Sequence, residues 1–207
     1  MAKGRELKGR IKSVENTRKI TRTMEMVATS KLKRAQDRVV AARPYAAALA
    51  GVIADLYSPA LAEEFPLLRQ PEPVKRAAIL LITSNRGLAG AFNANLIKEA
   101  RKLLAQLQRE GTEAELHITG RKGLGYFKYI GQAIESSRTD IGDRPTVENA
   151  AELVDDLMQG FIEGRLDALY LIYAKYVSPL STPATTGRIL PVEPPDKKET
   201  EGGAGGG

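Results

Sequence analysis

Residues 7–56, LKGRIKSVENTRKITRTMEMVATSKLKRAQDRVVAARPYAAALAGVIADL, decide the architecture. Steps of four and three pick out Leu7, Ile11, Val14, Arg18, Thr21, Glu25, Ala28, Leu32, Ala35, Val39, Ala42, Ala46, Leu49, Ile53 and Leu56. Only Arg18, Thr21 and Glu25 in that series are polar. A 3.5-residue period held this long describes the seam of a left-handed coiled coil, not a helix lying on a globule. At 1.5 Å per residue the helix is roughly 75 Å long, more than the diameter of a domain built from this chain. A seam needs a partner helix, and no other segment of the chain offers one. Pro44 should kink the rod or remove one backbone hydrogen bond.

Outside the rod the pattern changes. Ala77–Thr83 is a continuous apolar run of strand length, as expected for a strand buried on both faces. A helix is expected over Asn93–Arg109, a strand over Glu113–Gly120, a short helix through Leu124–Ile130 and a weaker strand over Ala133–Thr139. Thr146 is placed as the N-cap of a helix to Gly160, with Ala150, Leu153, Val154, Leu157 and Phe161 on one face. Asp167–Val177 is the strongest strand, and Arg188–Val192 a possible edge strand demoted by neighbouring prolines. The fold class is α/β: a long N-terminal coiled-coil helix plus a Rossmann-like domain with a mostly parallel sheet. The expected divisions are a shaft helix over 1–57, a Pro-rich connector over 58–73, an α/β domain over 74–192 and a disordered Gly-rich tail over 193–207.

Charge is divided unevenly. Residues 1–43 hold 13 Lys/Arg against 4 Asp/Glu, net +9, and the remainder holds 18 against 21, net −3, which together give the +6 of the chain. The excess positive charge lies on the rod, which reads either as a solvated helix face or as a surface meant to meet nucleic acid, anionic lipid or acidic protein loops. The chain has no Cys and one His, so disulfides, thiolate metal sites and His clusters are excluded. No apolar run reaches the length of a membrane span, and acidic residues interrupt the basic N-terminus, which argues against an organelle leader.

Two strand-to-helix turns are candidates for chemistry. Thr83–Asn93 (TSNRGLAGAFN) has neither the G-x-G-x-x-G nor the P-loop spacing, so tight packing is preferred to nucleotide binding. Gly120-Arg121-Lys122-Gly123 reads as a solvated turn sooner than an anion site. His117, alternating with Leu116 and Ile118, is expected on the opposite sheet face in a structural role. Asp155 and Asp156 are neighbours on a helix and diverge too far to act as a pair. No triad, metal set or cofactor fingerprint emerges, and no cofactor is expected. Along Thr17–Arg34 the apolar stripe shifts towards Ile20, Met24 and Val27, and Met24 and Met26 suit a sliding contact.

The chain resembles the gamma subunits of F-type ATP synthases. Ile11–Gln36 (IKSVENTRKITRTMEMVATSKLKRAQ) is similar to the signature helix of that family. Thr83–Asn93 is similar to its T-S-D/N-R-G-L-x-G-x-F-N segment, with Ala89 where many members carry Cys. The resemblance implies a central-stalk rotor whose N-terminal helix winds around a C-terminal helix inside a hexameric head. It implies a foot on the membrane ring of c subunits and on the epsilon subunit. Contacts to the alpha and beta subunits of the head would run through Arg10, Arg18, Arg22, Met24, Lys31 and Arg34. Arg86, Gly87, Gly90, Phe92 and Asn93 would form the family's foot loop, without a catalytic role. Family members continue for roughly another eighty residues, so the second shaft helix is expected to be missing from this chain. The expected setting is peripheral, at the cytoplasmic face of a bacterial plasma membrane. Two competing readings are a nucleic-acid-binding protein built on the basic helix and a nucleotide-using α/β enzyme. The basic helix lacks interleaved aromatics, which counts against the first.

Overall fold

The computed structural model describes residues 2–56 and 64–192. The chain forms two compact units, the first ending at Val52 and the second beginning at Ile53. Tyr57, the Ser58-Pro59 stop and the tail from residue 193 lie outside the described residues.

The described part of the first unit is helix α1 (Ala2–Leu56), whose last residues from Ile53 are counted with the second. Its Ala, Lys, Arg, Met and Leu content favours helix at nearly every position. Thr17, Thr21, Thr23 and Thr29 each donate their hydroxyl to the carbonyl four residues earlier, at 2.8–3.1 Å. Local pairs Arg10–Glu6 at 2.7 Å, Arg22–Glu25 at 3.3 Å and Lys33–Asp37 at 3.7 Å lie along its surface. Pro44 lies inside a continuous helix. Pro44 has no N–H for the Val40 carbonyl, so one backbone hydrogen bond is missing while the helical assignment runs on. Among the described residues, Leu7, Ile11, Val14 and Leu32 of the seam are exposed.

The second unit is built around β1 (Arg76–Ile82), whose residues Ala77–Leu81 are wholly buried. β1 pairs in parallel with β2 (Glu113–Thr119) on one side and β4 (Ala168–Ala174) on the other. β3 (Ser136–Arg138) extends the sheet beyond β2 in parallel, and β5 (Ala184–Leu190) closes the far edge antiparallel to β4. The order is β3-β2-β1-β4-β5. The edge strand begins at Ala184, four residues before its expected start. Its flanking Pro183 and Pro191 bound the strand instead of interrupting the ladder, and Thr185 and Thr186 fit the pleat.

Helices α2 (Phe92–Arg109) and α3 (Arg121–Tyr129) cover one face. There Ile79, Leu81, Leu96, Leu107, Leu116, Ile118 and Phe127 form the larger core. Helix α4 (Val147–Ile162) covers the other face, where Leu157 and Phe161 meet Ala78, Leu169 and Leu190. Thr146 caps α4 as expected, and Asn149 completes a reciprocal capping box.

The far end of α4 is closed by Arg69, just after the 3-10 turn Pro66–Leu68. Its guanidinium lies 4.2 Å from the centroid of the Phe161 ring. It donates to the Phe161 carbonyl at 2.7 Å and to the Leu166 carbonyl, and it stands 3.8 Å from Asp167. Nothing in the sequence marked Arg69. Removing it takes a charged donor from the Phe161 and Leu166 carbonyls, leaving Phe161 the Gly164 N–H, and strips the stacked cation from the Phe161 ring. We expect Arg69→Ala to lower stability by about 2–3 kcal/mol in denaturant titration. Arg69→Lys should recover little of that loss, because an ammonium cannot stack and span both carbonyls.

His117 occupies the face opposite Leu116 and Ile118, as alternation requires. Its Nδ1 lies 2.8 Å from the Ser136 hydroxyl. Burial lowers its pKa below the ordinary imidazole value, and the opposing pull of Glu115, Glu135 and Asp156 is weaker. The folded state therefore holds His117 neutral, while the unfolded chain takes up its proton near pH 6.5. Stability should fall as pH drops through that value. The thermal midpoint of His117→Gln should be flatter over the same interval.

Candidate functional site

On α1, helical geometry sorts the six expected contact residues into two groups. Arg10, Met24 and Lys31 are separated by multiples of seven, and Arg34 is three residues beyond Lys31. At 3.6 residues per turn these four span roughly 120° of the helix surface. Arg18 and Arg22, one turn apart, share a stripe centred roughly 160° away. Arg10 and Arg22 are held by Glu6 and Glu25. Met24 is half exposed, with its thioether available at the surface.

The foot loop is a latch. Thr83, at the end of β1, donates its hydroxyl to the Thr119 carbonyl at 3.1 Å and accepts the Gly123 N–H at 3.0 Å. The Ser84 carbonyl accepts the Lys122 N–H, and Asn85 Oδ1 accepts that of Arg121. The first three amides of α3 are thus taken by the loop after β1. An anion cradle needs those amides free. Both the Gly120–Gly123 turn and Thr83–Asn93 therefore serve packing.

Within the loop, Asn93 accepts the Ser84 N–H on Oδ1 at 3.0 Å and donates through Nδ2 to the Ser84 hydroxyl at 2.9 Å. That bond fixes where α2 starts. Phe92 packs against the larger core. Gly90 sits at φ +54°, and Gly87 lies under the Lys122 ammonium. Arg86 reaches Asp143 at 3.3 Å. Leu88, also at positive φ, is 94% exposed. The five expected loop residues thus go to different surroundings: Asn93 to Ser84, Phe92 to the core, Arg86 to Asp143, Gly87 to Lys122 and Gly90 to open space. Thr83, the centre of the latch, was not among them. A Thr opening a Gly-flanked turn was its only sequence signal.

The ATP synthase family profile matches residues 3–205. The chain is 62% identical over 203 residues to the ATP synthase gamma chain of Gemmatimonas aurantiaca, covering 98% of this chain and 70% of that one. It is 39% identical over 195 residues to the ATP synthase gamma chain of Acidithiobacillus ferrooxidans, covering 94% and 67%. The chain belongs to the ATP synthase gamma chain family. It spans about two thirds of the length of these relatives. Its fold is that of a central-stalk chain in the mitochondrial ATP synthase of Tetrahymena thermophila, with a TM-score of 0.65 at 24% identity over 83% of this chain and 72% of that one. Nothing in these comparisons supports a nucleic-acid-binding reading. Among the described residues no helix is long and apolar enough to cross a membrane.

The latch yields a sharp contrast between glycines of the gamma-type foot. Gly120 has φ +105°, and a Cβ there would fall on the Thr83 carbonyl. We expect Gly120→Ala to cost about 3–5 kcal/mol, from strain and displacement of β1. Gly90 has φ +54° and open space around it. Gly90→Asn, which tolerates the left-handed region, should change stability by less than about 1 kcal/mol in the same denaturant titration.

Proposed function

We propose that this chain is the shaft-and-foot portion of a rotor that couples proton flow through a membrane ring of c subunits to ATP synthesis or hydrolysis in a catalytic head. The observation that carries this reading is α1: one long helix with an uncovered heptad seam and the excess positive charge of the chain. A second gamma helix seated on the apolar stretches of the seam would complete the shaft, leaving the polar stretch at Arg18, Thr21 and Glu25 clear of that helix. The remaining surface would face the alpha and beta subunits of the head, and the foot would meet the epsilon subunit and the ring. The chain's own part is mechanical, with bond-making left to the head.

The placement of the six contact residues supports that role. A shaft turning inside a ring of subunits meets acidic loops on every side, so cations on two nearly opposite stripes fit it better than a single basic face. Folded-back threonine hydroxyls offer few outward donors on which a loop could lock. Ion pairs at such exposure are worth about 0–1 kcal/mol each, which favours slipping over docking. The setting that accompanies this reading is the cytoplasmic face of a bacterial plasma membrane, with attachment through the ring. Identity to the Gemmatimonas aurantiaca gamma chain supports it.

The test is reconstitution of head subunits with this chain and the remaining third of a gamma chain supplied in trans, followed by ATPase assay. Stimulation of turnover that weakens in Lys31→Glu/Arg34→Glu, and in Arg18→Glu/Arg22→Glu, is expected. Rising salt should reduce the difference between wild type and these variants. Stimulation indifferent to both charge reversals would remove the role assigned to these residues. No complex with the head at all would remove the rotor reading.

A further inference from the structure

The first turns of α4 do not complete the core. Leu153 and Val154 are only half-buried and Ala150 is exposed, although all three belong to the apolar face of the helix. Beneath them, at the carboxyl ends of β1 and β2, lies a cleft of about 470 Å³ with Ile82, Ile141, Pro145 and Leu153 on its apolar side and the latch loop with the Arg86–Asp143 pair on its polar side. This is the size and apolar character of a small-molecule site. A second cleft of about 280 Å³ runs along β2 and β3, and the two share Thr119 and Leu153.

Among the described residues, two deeply buried polar atoms without a hydrogen-bond partner belong to residues of this groove: Thr119 Oγ1, its residue common to both clefts, and His117 Nε2, its residue in the second. Each residue is only 7% exposed. Native folds pair nearly all such atoms, so an orphan calls for an explanation. These two are on one face of one strand, two residues apart, and so separated by about 7 Å. Each can donate or accept: the hydroxyl by rotation, the imidazole by tautomer.

The surroundings select against ions. Arg86 is held by Asp143, and Arg138 by Asp140 and Glu152. Glu135 and Asp156 add negative charge at the mouth of the second cleft. The Thr146–Asn149 capping box occupies the end of α4, so no anion site is offered there. An anion entering here would meet arginines that already have carboxylate partners, and would lose its water without compensation.

We propose that this groove binds a small, uncharged, flat heterocycle of nucleobase size, its faces against Leu153 and Ile82 and its edge donors and acceptors on Thr119 and His117. The latch residues Thr83, Ser84 and Gly120 form part of the lining of the first cleft, and the proposal does not depend on the rotor reading.

The test uses the full chain with adenosine, guanosine and uridine as probes, and AMP as the charged comparison, by titration calorimetry and saturation-transfer NMR. Saturable binding of at least one nucleoside with Kd below about 1 mM is expected. Thr119→Val should weaken it at least tenfold with an unchanged or higher Tm, since the hydroxyl has no internal partner. Leu153→Trp, which fills the cleft, should abolish it, and AMP should bind no more tightly than adenosine. The proposal is overturned if no nucleoside binds saturably, or if AMP binds much more tightly than adenosine. It is equally overturned by undiminished binding in Thr119→Val, or by a large drop in its Tm, which would reveal an internal partner for the hydroxyl.

Discussion

The foot is organised by one buried strand and the hydroxyl at its end. β1 has no solvent face along Ala77–Leu81, so its neighbours must be parallel strands and its covers must be helices. Such a strand has to deliver the chain to the surface at its carboxyl end. There Thr83 ties that exit to the next turn, bonding the Thr119 carbonyl and the Gly123 amide. The bond fixes three things together: the register of β1 with β2, the start of α3, and the path of the loop that Asn93 holds at the start of α2. Gly120 and Gly123 are required because a Cβ at either would meet Thr83. Two glycine-rich turns that look like ligand loops in the sequence are thus the two halves of one packing contact.

This is why the elements were legible and the latch was not. Continuous apolar runs identify β1 and β4, 3.6-residue periodicity identifies α2 and α4, and Thr146 marks the start of α4, because each signal is local. The Thr83–Gly123 and Arg69–Phe161 contacts join residues 40 and 92 positions apart. A single sequence carries no signal for pairings of that range. β5 was placed too short for a related reason. Pro183 and Pro191 read as breakers, yet each stands just outside the ladder, where its missing N–H costs nothing. Gly87 meets the Lys122 side chain from the other turn, whereas Gly90, at φ +54°, has open space around it and serves the turn alone.

The cleft under α4 follows from the same geometry. β3 is only three residues long, so the sheet is narrow where α4 begins. The helix has Leu157 and Phe161 buried against β4 and β1 at its far end, and its apolar face continues towards its start with little beneath it. The periodicity of that face predicted burial along its whole length. Half of it found a surface and half found a groove with unpaired polar atoms on its floor. A pattern that is right for the helix and only partly satisfied by the sheet is where local and tertiary preferences part company, and functional sites concentrate at such places.

The two units solve opposite mechanical problems with the same residue types. In the foot, Arg69 is enclosed: it stacks on an aromatic ring and reaches two main-chain carbonyls, contacts that strengthen as water is excluded. On α1, Arg10 and Arg22 are in water beside a glutamate one turn away. Each exposed pair is worth no more than about 1 kcal/mol, close to thermal energy, and is screened by salt. An arginine held rigidly would lock a rotating surface at one angle. A weakly held one exchanges its own glutamate for a passing carboxylate at little cost, so the interaction energy with a surrounding ring varies only gently with angle. Positioning demands a few strong, enclosed contacts, and turning demands many weak, replaceable ones. The foot is built in the first manner and the shaft helix in the second.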